Sequence, residues 1–371
     1  MTTPQPIPLV DLGAQHRDVA DEVLAGFADV LATTAFIGGP QVTAFEREFA
    51  DYCGTTHCVG AANGTDAIEL VLRGLDIGRG DEVVIPANTF IATAEAVVRA
   101  GADVVLVDCS DDTLLIDPDL VDAAVSPRTR AVIGVDLYGQ IAPFDRLADV
   151  VDAERIALVE DAAQSQGAVR DGRKVGADVA AAATSFYPGK NLGAYGDAGA
   201  VVTNDGTLAE RVRAIGGHGG LRRYEHDLIG FNSRLDTLQA VVLSTKLRRL
   251  DCWNELRRQA AARYDELLDG VESVTRLTTA PGNIPVWHLY PIRVPDRDRV
   301  LETLHDAGIG AGIHYPQPVH LTGAFSSLGH GGGAFPVAER AAGELLSLPL
   351  YPHITDEQQV RVVETLVAAL D

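Results

Sequence analysis

Lys190 stands in the run Ser185-Phe-Tyr-Pro-Gly-Lys190-Asn-Leu-Gly193, and Asp161 stands 29 residues before it in Glu160-Asp161-Ala-Ala-Gln164. A lone lysine after a strand is ordinarily a solvated charge. This one follows an apolar strand pattern and a Pro188-Gly189 turn, and Gly193, Gly196 and Gly199 come after it. Glycines so placed let backbone approach a bound molecule closely. A lysine partly removed from water loses proton affinity and becomes a nucleophile toward carbonyl carbon, forming a Schiff base. A carboxylate at a strand end can cap a helix or bind a metal. Paired with such a lysine, it acquires another role: keeping a heterocyclic nitrogen protonated so that the ring accepts electrons. Either motif alone is weak, and the two in this order are strong.

Two further motifs add weight. Ala62-Asn63-Gly64-Thr65-Asp66-Ala67 precedes the helical run Ile68–Leu75. Unpaired amides and the macrodipole make such a helix start a phosphate site, although plain capping by Thr65 or Asp66 is the commoner use. Pro86-Ala-Asn-Thr-Phe90 follows the strand Glu-Val-Val-Ile-Pro, where an aromatic ring can stack on a planar cofactor or simply fill core. Other chemistries fail on missing partners. Cys53, His57 and Cys58 lie close together, yet no second Cys/His pair appears at zinc spacing, so no metal is expected. His330-Gly-Gly-Gly333 resembles an esterase oxyanion loop, but there is no G-x-S-x-G elbow. Neither G-x-G-x-x-G after a strand nor G-x-x-x-x-G-K-[ST] occurs.

The elements that must position these residues alternate. Glu82–Pro86, Asp103–Asp108, Ala131–Asp136, Ile156–Asp161, Thr184–Tyr187 and Ala200–Asn204 read as strands buried on both faces. Helical patterns such as Ala92–Ala100 and Pro118–Ala124 lie between them. This predicts an α/β domain whose mostly parallel sheet is flanked by helices, with ligands beyond the strands' carboxyl ends. One long helical pattern spans Asp236 to about Asp269 and stops at Gly270. Beyond it, Trp287–Val294 reads as a strand, Arg297–Ala307 as a helix, Gly308–His314 as a short strand and Asp356–Leu370 as a last helix. We expect a large α/β domain over residues 1–250 and a smaller C-terminal α+β domain over 251–371.

The chain has 371 residues, 46% hydrophobic and 22% charged, which suits a globular protein of two domains. Its net charge of −22 argues against nucleic acid as a partner, and any anionic ligand needs local donors. No secretory signal pattern or membrane-length apolar run is visible, so a soluble cytoplasmic protein is expected.

In their order, these motifs resemble the DegT/DnrJ/EryC1/StrS family, the sugar-aminotransferase branch of fold type I pyridoxal-phosphate enzymes. The likeness runs from Pro8-Leu-Val-Asp-Leu12 to Ser347-Leu-Pro-Leu-Tyr351. It implies that the cofactor is pyridoxal 5′-phosphate, with Lys190 as the Schiff-base lysine and Asp161 as partner of the pyridine nitrogen. Gln164 would lie beside the ring or its 3-hydroxyl, and Phe90 would stack on it. Gly64, Thr65 and Ser185 match phosphate-binding positions. Asn232, in Gly230-Phe-Asn-Ser-Arg234, matches an asparagine that reaches the neighbouring subunit's cofactor, which implies a homodimer with shared sites. A sister group carries histidine for the lysine and dehydrates; Lys190 therefore implies transamination, with L-glutamate as amino donor.

The substrate implied is a nucleotide-linked keto sugar. Val286-Trp-His-Leu289 and His314-Tyr-Pro-Gln-Pro-Val-His320 are similar to enzymes that aminate C3 of dTDP-linked 3-keto-6-deoxyhexoses, with His314, Tyr315 and His320 facing the sugar or pyrophosphate. Arg222-Arg223-Tyr224 with Arg234 also resembles relatives acting on UDP-linked 3-keto sugar acids, and dTDP-4-keto sugars are a third possibility. Readings outside this set are a non-catalytic PLP-binding regulator and a transaminase for cyclic keto substrates. The complete set Lys190, Asp161, Gln164 and Ser185 argues for catalysis.

Overall fold

The computed structural model describes residues 5–222 and 224–370. Arg223, in the basic stretch noted above, lies outside the described residues. Five strands follow in order: β1 (His57–Ala61), β2 (Glu82–Pro86), β3 (Asp103–Val107), β4 (Thr129–Val135) and β5 (Ala157–Asp161). Two short strands, β6 (Val169–Arg170) and β7 (Arg173–Lys174), form a ribbon apart from the main sheet. With β8 (Ala181–Ser185) and β9 (Gly199–Thr203), a seven-stranded sheet is complete in the order β1-β9-β8-β5-β4-β2-β3. Only β9 runs against its neighbours. The expected α/β class is therefore observed.

Strand geometry sends alternate side chains to opposite faces. Val83 and Ile85 join the core under α3 (Gly64–Gly74) and α4 (Ile91–Ala100), while Val84 joins the core under α5 (Pro118–Ala124) and α6 (Phe144–Val150). At the other end, α7 (Gly206–Gly216) covers one face. The N-terminal helices α1 (Leu12–Thr33) and α2 (Pro40–Cys53) meet α8 (Thr237–Leu247), and α2 and α8 cover the other face. The strand carrying Lys190's turn begins earlier than expected. Its Ala181-Ala-Ala stretch has little β propensity but suits a crowded central strand.

The single long helix expected after Asp236 is two helices. The helical run is interrupted at Arg248 and Arg249, where ψ is −15° and −7° and the guanidiniums pair with Glu22, and α9 (Leu250–Leu267) follows. A second, antiparallel sheet follows, β10 (Thr275–Arg276), then β12 (Tyr290–Arg293) and β13 (Leu345–Leu348), while β11 (Asn283–Ile284) pairs with β6. Helices α9, α10 (Arg297–Asp306) and α12 (Asp356–Leu370) pack around this sheet, and α11 (Pro336–Glu344) leads into β13. The stretch Gly308–His314 is no regular strand. It makes single bridges, Ile309 to Ile7 and Gly312 to Ser347, and at Gly310 the backbone of Leu9 leaves no room for a Cβ. Ile7 thereby joins the core of the second sheet. We propose residue 250, the first of α9, as the division between the two units, with Ile7 crossing back.

Core and site meet at Phe186, fully buried and edge-on to both Phe45 and Phe49, with ring centroids 5.5 and 5.2 Å away. It anchors the turn that presents Lys190. Phe186→Ala should destabilise the fold by about 3–5 kcal/mol and Phe186→Leu by under about 2 kcal/mol. Urea unfolding at fixed protein concentration measures both, and a loss below 1 kcal/mol (roughly) for the alanine variant would contradict this anchoring.

Candidate active site

Strands β1, β2, β4, β5 and β8 end, and β9 begins, at one edge of the large sheet, and a cavity of about 570 Å³ opens there. The Lys190 main-chain amide donates to Tyr187 O at 2.8 Å, closing the Pro188-Gly189 turn. Gly193 is forced at the far end of this loop, since a Cβ there would collide with the Pro188 carbonyl. The Lys190 side chain lines the cavity, and desolvation pushes its ammonium down to about 8, against a smaller opposing pull from Asp161. No hydrogen bond ties its Nζ to another of the described residues.

Asp161, the last residue of β5, is buried in the same cavity. Thr93 Oγ1 donates to Oδ2 at 2.7 Å, and the Ala163 amide donates to Oδ1 at 3.2 Å. Burial raises its pKa, while these two donors and Lys190 act the other way. A cationic ring nitrogen brought to this carboxylate would reverse the cost of burying it.

One end of the cavity is kept open by absent side chains. A Cβ at Gly64 would come within 2.6 Å of Ser185 Cβ, and one at Gly199 would strike the Asn63 carbonyl. Asn63 caps α3 by accepting from the Asp66 amide at 2.8 Å, which leaves the first amides of the helix, at Gly64 and Thr65, without intrahelical acceptors. Thr65 and Ser185 also line the cavity.

Phe90 lies just before α4, half-exposed, with Tyr315 tilted against it at 5.2 Å between centroids. Gln164 accepts from the Tyr138 amide at 2.7 Å and donates to Tyr315 Oη at 3.1 Å. His314 Nδ1 meets Ser347 Oγ at 2.9 Å, and burial followed by nearby Lys190 holds its imidazolium down to about 4. His314 and Tyr315 reach the cavity from the second unit.

Three of the sequence candidates are not in this cavity. His320 is buried against Phe335 and bonds the Glu339 carboxylate at 2.9 Å, so within its own chain it faces no ligand. Asn232 and Arg234 are exposed on the segment following α7 and do not line it. Conversely, sequence reasoning passed over Asn63, Thr93, Asp197 and His288. Asn63 and His288 lay inside quoted motifs, whereas Thr93 had no signal beyond falling one helical turn after Phe90.

The geometry has relatives. The sequence profile of the DegT/DnrJ/EryC1/StrS aminotransferase family matches residues 17–367. The chain belongs to that family. It is 47% identical, over 98% of its length and 99% of the relative's, to the erythromycin biosynthesis sensory transduction protein EryC1 of Saccharopolyspora erythraea. It is 45% identical, over 97% of its length and 95% of the relative's, to dTDP-3-amino-3,4,6-trideoxy-alpha-D-glucose transaminase of Streptomyces venezuelae. Among solved structures, DesV of S. venezuelae in complex with a ketimine intermediate superposes with a TM-score of 0.97, at 44% identity and 99% coverage of both chains.

This family member is an aminotransferase dependent on pyridoxal 5′-phosphate, and its residues fit that cofactor. An untethered amine that gives up its proton more readily than an ordinary lysine faces the cavity, a buried carboxylate faces the same space, and glycines keep side chains out of a helix start rich in free amides. Among the described residues no helix is long and apolar enough to cross a membrane, and no cluster of three metal-ligating side chains occurs.

Because desolvation lowers the Lys190 pKa, its neutral amine becomes available as pH rises through about 8, well below the usual lysine range. Pyridoxal phosphate added to the apo-protein should therefore be captured at a rate that climbs through about pH 8 and levels about one pH unit above it. Borohydride trapping and peptide mapping should place the label on residue 190. A rate still climbing at pH 10 (roughly, the ordinary lysine range) would contradict the desolvated setting.

Proposed function

We propose that this aminotransferase moves the amino group of L-glutamate onto C3 of a dTDP-linked 3-keto-6-deoxyhexose, within a homodimer whose active sites draw on both chains. The observation that carries catalysis is Lys190: a reactive amine sharing one cavity with Asp161 suits proton transfer as well as cofactor attachment. Support for the sugar comes from the transaminase relative, which aligns along nearly its whole length.

When bound, the cofactor supplies a carbonyl carbon to the amine and an electron-withdrawing ring. Asp161, steadied by Thr93 and Ala163, would hold the ring nitrogen in its protonated form. Gly64, Thr65 and Ser185 would receive the phosphate, Phe90 would cover a ring face, and Gln164 would lie at its edge. Lys190, once released, takes a proton from the donor's carbon and returns it as an acid during transfer. His314 and Tyr315 bring neutral hydrogen-bonding groups to the sugar side.

A second chain suits the surface. The adjacent Phe36 and Ile37 are 45% and 53% exposed, an apolar step that a partner chain would cover. The cavity's own lining carries no arginine, so a diphosphate or carboxylate needs cations from elsewhere. Asn232 and Arg234, exposed and outside the lining of their own cavity, are the side chains we assign to a neighbour's. Four unpaired cysteines suit the reducing cytoplasm.

Purified enzyme given glutamate and a panel of dTDP- and UDP-linked 3-keto and 4-keto sugars should aminate the dTDP-3-keto member fastest, read as the mass change of the product. Preference for a UDP or 4-keto member would redirect the substrate assignment. No amination, together with a cofactor absorbance band unmoved by every amino donor, would favour a regulator. Lys190→Ala should cost at least about 10²–10⁴-fold in turnover with the fold retained. Mixing Lys190→Ala with Asn232→Ala chains should restore part of the activity if the two positions serve one pocket from different subunits.

A further inference from the structure

His288 lines the cavity but has no part in the steps above, and its other side ends in a fixed polar chain. Asn254 Nδ2 donates to the Gln166 carbonyl at 2.9 Å. Asn254 Oδ1 then accepts from Asn191 Nδ2 at 2.9 Å, and the same Asn191 amide donates to the Val286 carbonyl at 2.9 Å. Asn191 Oδ1 is left facing His288 Nδ1 at 3.2 Å. The two backbone carbonyls decide the orientations. Turning over Asn254 would set oxygen against Gln166 O, and turning over Asn191 would set oxygen against both Val286 O and Asn254 Oδ1. An amide oxygen only accepts, so His288 must carry its proton on Nδ1, and Nε2 keeps a lone pair.

We propose that His288 is a positioning residue for the transamination, a neutral hydrogen-bond acceptor in the cavity of Lys190 whose Nε2 takes an N–H of that amine as it moves during proton transfer, with Asn191 and Asn254 fixing the tautomer that makes it so. The inference rests on the reading of Lys190 as the reacting amine. Sequence adjacency supports it, since Lys190 and the residue gripping the ring, Asn191, are neighbours. The surroundings keep the ring neutral: it is buried, and Lys190, Arg257 and His314 all oppose a second proton. The ring is also anchored through its main chain, where its amide donates to Tyr138 O at 3.0 Å and Arg257 approaches its carbonyl. A neutral acceptor suits this place because an imidazolium would repel the lysine, and a carboxylate would hold the lysine's proton too tightly for transfer.

The test reads the ring directly. In holoenzyme carrying ¹⁵N-labelled histidine, with His288→Gln used for assignment, the His288 signals should show a protonated Nδ1 and a bare Nε2 across pH 6 to 8 (roughly, the range in which histidine normally titrates). The reversed tautomer, or a ring that titrates in that range, overturns the proposal whatever the substrate proves to be. In Asn191→Asp the carboxylate should let the ring take a second proton, so that a titration appears where none existed. The glutamate half-reaction, followed as loss of the Schiff-base absorbance band, supplies a second readout that needs no sugar. His288→Phe removes the acceptor and should slow that half-reaction about tenfold or more, since the moving lysine loses its partner during proton transfer. His288→Gln, which retains an acceptor, should restore much of the rate. An unchanged rate in the phenylalanine variant also overturns the proposal, whereas failure of pyridoxal phosphate capture at Lys190 in unaltered protein would instead indict the lysine assignment itself.

Discussion

The structure depends on withdrawing one amine from water without letting it find a permanent partner. A lysine paired by a short ion bridge would stay charged and inert, and one left in solvent would stay charged and hydrated. Lys190 avoids both states because its turn hangs from β8, while the carboxylate that senses it ends β5, the strand hydrogen-bonded alongside. The spacing between amine and acid is thus set by a sheet and not by flexible loops. Phe186 and Gly193 fix the turn itself, one by filling the core and the other by leaving no room for a side chain.

The same economy governs anions. A chain of net charge −22 repels a phosphorylated ligand at long range, and the lining of its main cavity holds no arginine. For a phosphate at the helix start, the chain's own attraction comes from dipoles at close quarters. The start of α3 offers them, because Asn63 occupies the cap while glycine at 64 and 199 allows an anion to reach the uncapped amides.

Much of this was legible beforehand because its signals are local. Lys190, Asp161 and Gly64 each sit at a strand-to-loop junction marked by an apolar run ending in polar residues and glycine. Phe90, equally consistent with core on sequence grounds, is half-exposed at the cavity. Less legible was whatever depends on distant chain segments. His320 looked like its neighbour His314 in sequence, but it is captured by Glu339 from the following helix. The helical pattern after Asp236 gave no glycine or proline to mark the break at Arg248–Arg249, which is held by Glu22 from α1. The two amino-terminal helices and Thr93 left no trace in the motifs, and the alanine-rich β8 has a composition that favours helix.

The strand-like contact of Ile7 with Ile309 joins residues far apart in the chain, with amide bonds from Ile7 to Gly308 O and from Gly310 to Ile7 O at 2.9 and 2.7 Å. A ribosome makes Ile7 long before its partners. During synthesis this isoleucine therefore has nowhere native to go until the whole large sheet and the helices between have been translated. The large sheet can consolidate early, but the smaller unit must wait, and until then its apolar surfaces are available to chaperones or to another nascent chain.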